Sequence, residues 1–541
     1  MLRQFFLVCL CLTTFRPTFA VETPVVAPKP KLPPRVESPA DLNQLILKGL
    51  EKELKSQPAM NIVTDEQFLR RVTLDLLGRQ PTFAESVAFE ADLTSEKRER
   101  LVEQHLQNLD FGRNWSNYWS DTISYHVSPP ELTFLNYQPF KDWMAGQIHQ
   151  NKTWPEITAA ILTGTGKVKD QPQATFVAYH QGTPVSLAAE TARVFLGLQI
   201  QCAECHDHPY DTWRREEFHH MAAFFARASV KMPRNKGIET VVSAAGKGEY
   251  YMPNAADPDK KGTMMLPTFL TSNETEKGES GWSDGRRRQR LAEFITSPQN
   301  PWFAKSFVNR VWARLMGQGF YEPVDNIGEF RPQLMPEVHE ALAARFTATG
   351  GDVKDIFRLI VNTEVYQQTL TTDQALAEKP FAAGTTTKLR SDEVFDSLVT
   401  AINLPNKIGK QGKATAAIRF PPPPKSTRDL VADAFGFDPS RQPVEISRTL
   451  TQAMWMMNNK QLQTQINAKP GSGTTLSGLI GSDKDDSAVI RKLFRIVLAR
   501  KPSDKEVKIS LEHIQQIKNR ADGFEDLLWS LLNSAEFTTK R

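Results

Sequence analysis

The sequence is poor in cysteine: there are four in 541 residues, and two of them, Cys9 and Cys11, fall within the first dozen. So few cannot staple a chain this long, which excludes a disulfide scaffold and leaves stability to an ordinary buried core. Also missing is any apolar run of the roughly 20 residues that a bilayer-spanning helix requires. Charge of one sign is not in excess: 66 basic and 62 acidic residues leave a formal +4, with no concentrated basic face for nucleic acid. The one basic cluster, Arg286-Arg287-Arg288 with Arg290, is expected as a solvated helix face. No G-x-S-x-G, P-loop or G-x-G-x-x-G stretch occurs, so the common hydrolase, nucleotide and dinucleotide motifs are absent. No fixed-period repeat is visible.

What is present begins with "MLRQFFLVCLCLTTFRPTFA". Arg3, the apolar run Phe5 to Leu12 and the small-residue ending at Ala20 have the three-part shape of a secretory signal peptide over residues 1–20. Cleavage after Ala20 would remove Cys9 and Cys11. The mature chain is then expected to be exported to the periplasm, the cell envelope or the extracellular space, without a transmembrane helix. Residues 21–40 are proline-rich and read as an extended linker.

From there the pattern is helical. "TDEQFLRRVTLDLLG" opens on Thr64 with Gln67 at the capping-box position and stops at Gly78; "TFAESVAFEADL" repeats the device with Thr82 and Glu85. Between about Lys231 and Gly281 the periodicity lapses into glycine, proline and short strand-like pieces, "ETVVSA" and "EYYM". Helical runs resume at "RRRQRLAEFITS" and continue to a last group, where the turn Arg500-Lys501-Pro502-Ser503 starts one helix. The fold expected is mainly α, two helical domains separated by a small irregular or β insertion. Met454, Met456 and Met457 read as core fillers, "GSGTTLSG" as a flexible connector, and "FPPPP" as a polyproline loop.

The chemistry concentrates in "QCAECHDHPYDTW", which holds the two remaining cysteines. Cys-x-x-Cys-His, here Cys202, Cys205 and His206, is the attachment pattern of c-type haem: the thiols add across the porphyrin vinyl groups and the histidine ligates iron. His180, His219, His220 or Met221 could complete the coordination. A second reading takes Cys202, Cys205, His206 and His208 as a ligand set for zinc or another divalent metal, with Asp207, Asp211, His219 and His220 in reserve. A third closes a small disulfide and leaves the histidines structural. In the later half Asn309, Arg310 and Asp325 could suggest a polar site, but Arg310 with Asp325 is expected as a structural ion pair.

"LGLQIQCAECHDHPYDTW" followed by "FHHMAAFFAR" resembles the planctomycete cytochrome-C-like family, domain of unknown function 1549. "RLAEFITSPQNPWFAKSFVNRVWARLMGQGFYEPVDNIGE", "RIVLARKPSDKE" and "LLNSAEF" resemble its companion, domain of unknown function 1553. The resemblance divides the chain into a first domain over residues 41–255, an insertion over 256–284 and a second domain over 285–541. It implies one covalent haem c on Cys202 and Cys205 with His206 as proximal ligand, and a redox partner in the cell envelope. It fixes no reaction. The alternatives are a metal-stabilised surface or scaffold protein and, more remotely, a metal-dependent hydrolase using His206, His208 and Asp211 around an ion that activates water.

Overall fold

The structure, a computed structural model, describes residues 33–55, 60–127, 137–231, 239–257, 259–271, 277–371, 376, 378–409, 424–436, 438–439 and 449–540. The signal peptide, most of the proline-rich linker and Phe420 to Pro423 of the polyproline loop lie outside these residues. Helix accounts for 57% of the described residues and strand for 6%, so the fold is mainly α. Among the described residues no helix is long and apolar enough to cross a membrane.

Local signals set the helix ends. Asp65–Leu77 is closed at its start by a reciprocal pair, Thr64 accepting from the Gln67 amide while the Gln67 side chain accepts from that of Thr64. It ends at Gly78 with φ +69°, a conformation that disfavours a side chain, and a Cβ there would lie 2.6 Å from Asn114 Oδ1. Asn114 is close because its amide donates to the terminal carbonyls of Asp75 and Leu76. Phe83–Ala91 and Asp504–Gln516 carry the same capping box at Thr82 and Ser503.

The helices pack around two apolar cores within the compact unit Pro34–Arg541. The first draws on residues from Val36 to Ala382. Its centre is aromatic: Trp119 lies 4.2 Å from Trp154 and 5.8 Å from Phe307, which stacks on Phe346 at 4.4 Å. The second joins Leu74 to residues from Leu389 to Phe537. A buried ionic seam ties them, with Lys540 donating to Asp75 at 2.6 Å and Arg314 holding Glu393 at 2.7 and 2.5 Å. The strand-like pieces form short antiparallel ladders. Val241–Ala244 pairs with Gly166–Lys167 and Ala228–Lys231, and Tyr250–Met252 pairs with Thr263–Met265.

Three expectations are corrected. The basic cluster on Asp284–Thr296 is only in part a solvated face: Arg286 is exposed and Arg290 partly so, but Arg287 and Arg288 are fully buried. Arg288 holds Asp284 at 2.6 and 2.8 Å and donates to the carbonyls of Leu162 and Gly164, while Arg287 reaches Glu249 and the Ala223 carbonyl. Acceptors supplied from distant segments outweigh the local charge density that suggested solvent. Met456 is buried but Met454 and Met457 are half exposed, because Leu450–Asn458 turns only one face inward. "GSGTTLSG" is no connector throughout, since Thr474 caps a helix over Thr475–Ser482.

Removing one member of a buried ion pair strands the other. Arg288→Met is expected to cost about 3–5 kcal/mol, read from urea unfolding, and Arg288→Met with Asp284→Asn should lose less than the single substitution. Equal losses would mean that the pair itself matters little.

Candidate functional site

Cys-x-x-Cys-His sits on a single 3₁₀ turn, Gln201–Glu204, with Cys205 and His206 just beyond it. The chain arrives through an unusual device. The helix Pro184–Thr191 widens into a π-helical turn, Ala192–Leu196, and stops at Gly197 with φ +68°. A Cβ at Gly197 would meet the Ile327 side chain at 2.9 Å, and its carbonyl accepts the Ile327 amide at 2.8 Å. Gln199 then donates to Asp325 at 2.9 Å. The approach to the motif is therefore pinned to the segment around Asp325.

Behind the motif the helix Arg215–Ala222 holds the loop. His219 Nε2 donates to the Glu204 carbonyl at 3.0 Å and its Nδ1 accepts from the Tyr250 hydroxyl at 2.8 Å. Arg215 Nε also donates to the Glu204 carbonyl, and the Arg215 amide is capped by Asp207 Oδ1 at 2.8 Å. Burial holds the His219 imidazole down at about 4 against that carbonyl bond, so the ring is neutral near pH 7.

The donors themselves face solvent. Cys202 and Cys205 are both free and exposed, and His206 is exposed. His206 Nδ1 lies 2.7 Å from the Asp207 carbonyl oxygen; a carbonyl only accepts, so Nδ1 carries the proton and Nε2 keeps its lone pair. His208 Nδ1 accepts from the Tyr210 amide at 3.2 Å. Asp211 accepts from the Thr212 amide and lies over Gly328, where a Cβ would come within 2.9 Å of its carboxylate.

The other sequence candidates take different places. His219 is the loop's anchor, with both ring nitrogens engaged. His220 Nδ1 donates to the Leu266 carbonyl at 2.7 Å, and Met221 is fully buried. His180 is buried too; its Nε2 finds no partner among the described residues, and burial depresses its titration to about 4. No three His, Cys, Asp or Glu side chains among the described residues converge as a metal-ligand set.

Sequence reasoning missed the ionic chain that underlies this approach. The Arg193 guanidinium holds Glu190 at 2.6 and 2.9 Å, donates to the Thr122 carbonyl and reaches Asp325 at 3.4 Å. Arg310 meets the same Asp325 at 3.6 Å, so the expected Arg310–Asp325 pair is present but shared. At the far end the exposed His126 donates to Glu190 at 2.7 Å. Burial alone would raise the Glu190 carboxyl, but the His126 hydrogen bond and Arg193 outweigh it and hold it at about 2. The spacing Glu190-x-x-Arg193 on the helix that leads to the motif was the available signal.

Residues 41–230 match the family described as protein of unknown function (DUF1549), and residues 287–514 match the one described as protein of unknown function (DUF1553). No curated protein and no solved structure matches the chain.

Two outcomes follow. Replacing His219 by leucine removes one donor from the Glu204 carbonyl, worth about 1 kcal/mol net, so amide hydrogen exchange across the turn at residues 201–206 should quicken roughly fivefold; an unchanged rate would mean that the loop is held without it. The second concerns acid. Burial lowers His105, His180, His219 and His339 from 6.5 to about 4 in the folded protein. The unfolded chain therefore takes up protons first as pH falls, and the stability these neutral rings carry is complete above 6.5 and drains away toward 4. Urea midpoints measured across that window should fall with pH, and a flat series would contradict the assignment.

Proposed function

From a chain that belongs to the DUF1549 family and carries the DUF1553 companion after it, we propose an exported protein that holds a single haem c covalently and serves in one-electron transfer or redox sensing. Cys202 and Cys205 are the thioether anchors and His206 the proximal ligand. A haem held there would supply an iron whose one-electron couple is set by its axial ligands and solvent exposure.

The observation that carries this reading is the state of the donors. Two free thiols stand on one exposed turn, and the histidine directly after them has its Nδ1 proton committed to the Asp207 carbonyl. A histidine fixed in this tautomer offers Nε2 to a metal, and the hydrogen bond on the other nitrogen strengthens it as a ligand. The residues present thus fit the group. The protein's own contribution is a stiff base beneath a free rim. His219, Arg215 and Asp207 hold the turn, while the reacting sulfurs and the imidazole remain accessible to the attachment machinery. A partner that exchanges electrons would meet this same exposed surface.

The test is a pyridine haemochrome spectrum with elemental analysis on protein exported alongside the haem-attachment machinery. A sharp reduced α band with about one iron per chain is expected. Cys202→Ala with Cys205→Ala should abolish covalent attachment, and His206→Ala should remove one ligand to the iron and shift its spectrum while leaving the thioether links. A colourless protein carrying zinc would transfer Cys202, Cys205, His206 and His208 to a structural metal clasp. A colourless protein free of metal, with no free thiol, would leave the disulfide.

A further inference from the structure

Away from the motif, a cavity of about 350 Å³ opens at the junction of the two cores. Its walls come from the turn after Asp65–Leu77, the helices Leu109–Ser124 and Gln138–His149, and the helices Ser391–Ile402 and Thr427–Phe435. The size falls in the lower part of the range of small-ligand pockets, roughly 300–1,000 Å³, which favour such junctions.

The lining is dense in charge yet balanced, with four cationic side chains and four carboxylates. Each carboxylate already has a partner. Asp110 accepts from Arg79 at 3.2 Å and from Arg113 at 3.1 Å. Asp396 is gripped by both terminal nitrogens of Arg428, one at 3.0 Å. Asp392 is held by Arg390 at 2.8 and 3.0 Å, and Asp142 accepts from Gln138 at 2.8 Å. Lys141, the remaining cation, reaches toward Asp121 at 3.4 Å. An anion entering this space would face four carboxylates, and a cation four positive groups. Neither sign is selected.

What these fixed pairs leave over is hydrogen-bonding capacity. An ionised carboxylate has about four acceptor positions and a guanidinium five donors, and the pairings use only part of them. The cavity thus shows acceptors and donors side by side on rigid helices. A hydroxyl group, donor and acceptor at once, satisfies both neighbours. Asn117, on the wall, has a side-chain amide that bonds to no described residue and can both give and accept. Leu77, Ala145 and Val399 add apolar lining from three of the helices, which suits the C–H groups of a ring rather than a second charged edge.

We propose that this cavity is a binding site for a neutral polyhydroxylated ligand of sugar size, a mono- or disaccharide. The site is independent of the haem reading: no residue of the Cys-x-x-Cys-His turn lines it.

Saturation-transfer NMR and calorimetry on the full chain would test it, with glucose, galactose, mannose, xylose and their neutral disaccharides as probes. Glucuronate and glucosamine serve as the charged counterparts. At least one neutral sugar should bind at about 10 mM or tighter, with its charged counterpart about tenfold weaker. Asn117→Trp should fill the space and abolish binding, and Asn117→Ala should weaken it severalfold; unchanged circular dichroism and melting would show that each variant is folded. If Asn117→Trp fails to fold, the alanine variant decides. Silence from every neutral sugar would overturn the proposal. So would tighter binding of either charged sugar, or binding indifferent to Asn117.

Discussion

A guanidinium taken out of water demands acceptors on every side, because it cannot shed its proton. Arg287, Arg288 and Arg310 are fully buried here, and Arg193 and Arg390 nearly so. One residue's neighbours in sequence cannot meet such a demand. Arg288 collects Asp284 from its own helix but also the carbonyls of Leu162 and Gly164, more than a hundred residues earlier. Arg193 collects Glu190, the Thr122 carbonyl and Asp325. Arg288 and Arg193 thus each fix where remote segments can lie, and this part of the fold is organised around those meeting points. Such pairs add little net stability compared with apolar packing, but breaking one is costly, so they act mainly as registration devices.

The Cys-x-x-Cys-His turn inherits its position from this arrangement. Gln199 donates to the same Asp325 that Arg193 and Arg310 share, three residues before Cys202. The π-turn over Ala192–Leu196 places Arg193 toward that carboxylate, and local widening of this kind is frequent where a helix must aim a particular side chain. On the other side His219, neutral and hydrogen-bonded at both nitrogens, holds the Glu204 carbonyl. The turn is clamped at both ends while its thiols and imidazole point to solvent. That division of labour explains why a sequence so rich in nearby histidine does not use all of it alike. His206 is displayed, His219 is structural, and His180 is buried in neutral form.

Legibility in the sequence followed the range of the interaction. The capping boxes at Thr64, Thr82 and Ser503, the stop at Gly78 and the strand-like pieces near Val241 and Tyr250 depend on residues a few positions apart, and each is where local pattern places it. The motif was legible for the same reason, since its chemistry lies in three residues of a five-residue stretch. The fates of Arg287 and Arg288 were not, because their acceptors sit on other segments and a run of arginine looks the same whether solvated or buried. Met454 and Met457 show the converse: apolar composition suggested burial, but exposure was decided by which face the helix turned inward. The His126–Glu190–Arg193 chain was half visible, as an i, i+3 pair whose third member comes from far away.

The same long-range bonds bear on why the DUF1549 and DUF1553 segments occur in one chain. Asp325 belongs to the second matched segment and Arg193 to the first. Separated, Arg193 would keep Glu190, but the fully buried Asp325 would lose Arg193 and Gln199 together and keep Arg310, at 3.6 Å, which is destabilising for a carboxylate out of water. The aromatic centre adds the same requirement without charge, because Trp119 and Trp154 of the first segment pack on Phe307 of the second. The boundary between the two matched segments is therefore not a boundary between cores. The first core runs through it to Ala382, and the second begins only at Leu389 with Leu74 as its one early member. A chain cut between residues 256 and 284 would divide one hydrophobic core and its ion pairs, not two independent domains. It is the joint between the cores, near Leu389, that leaves room for a cavity.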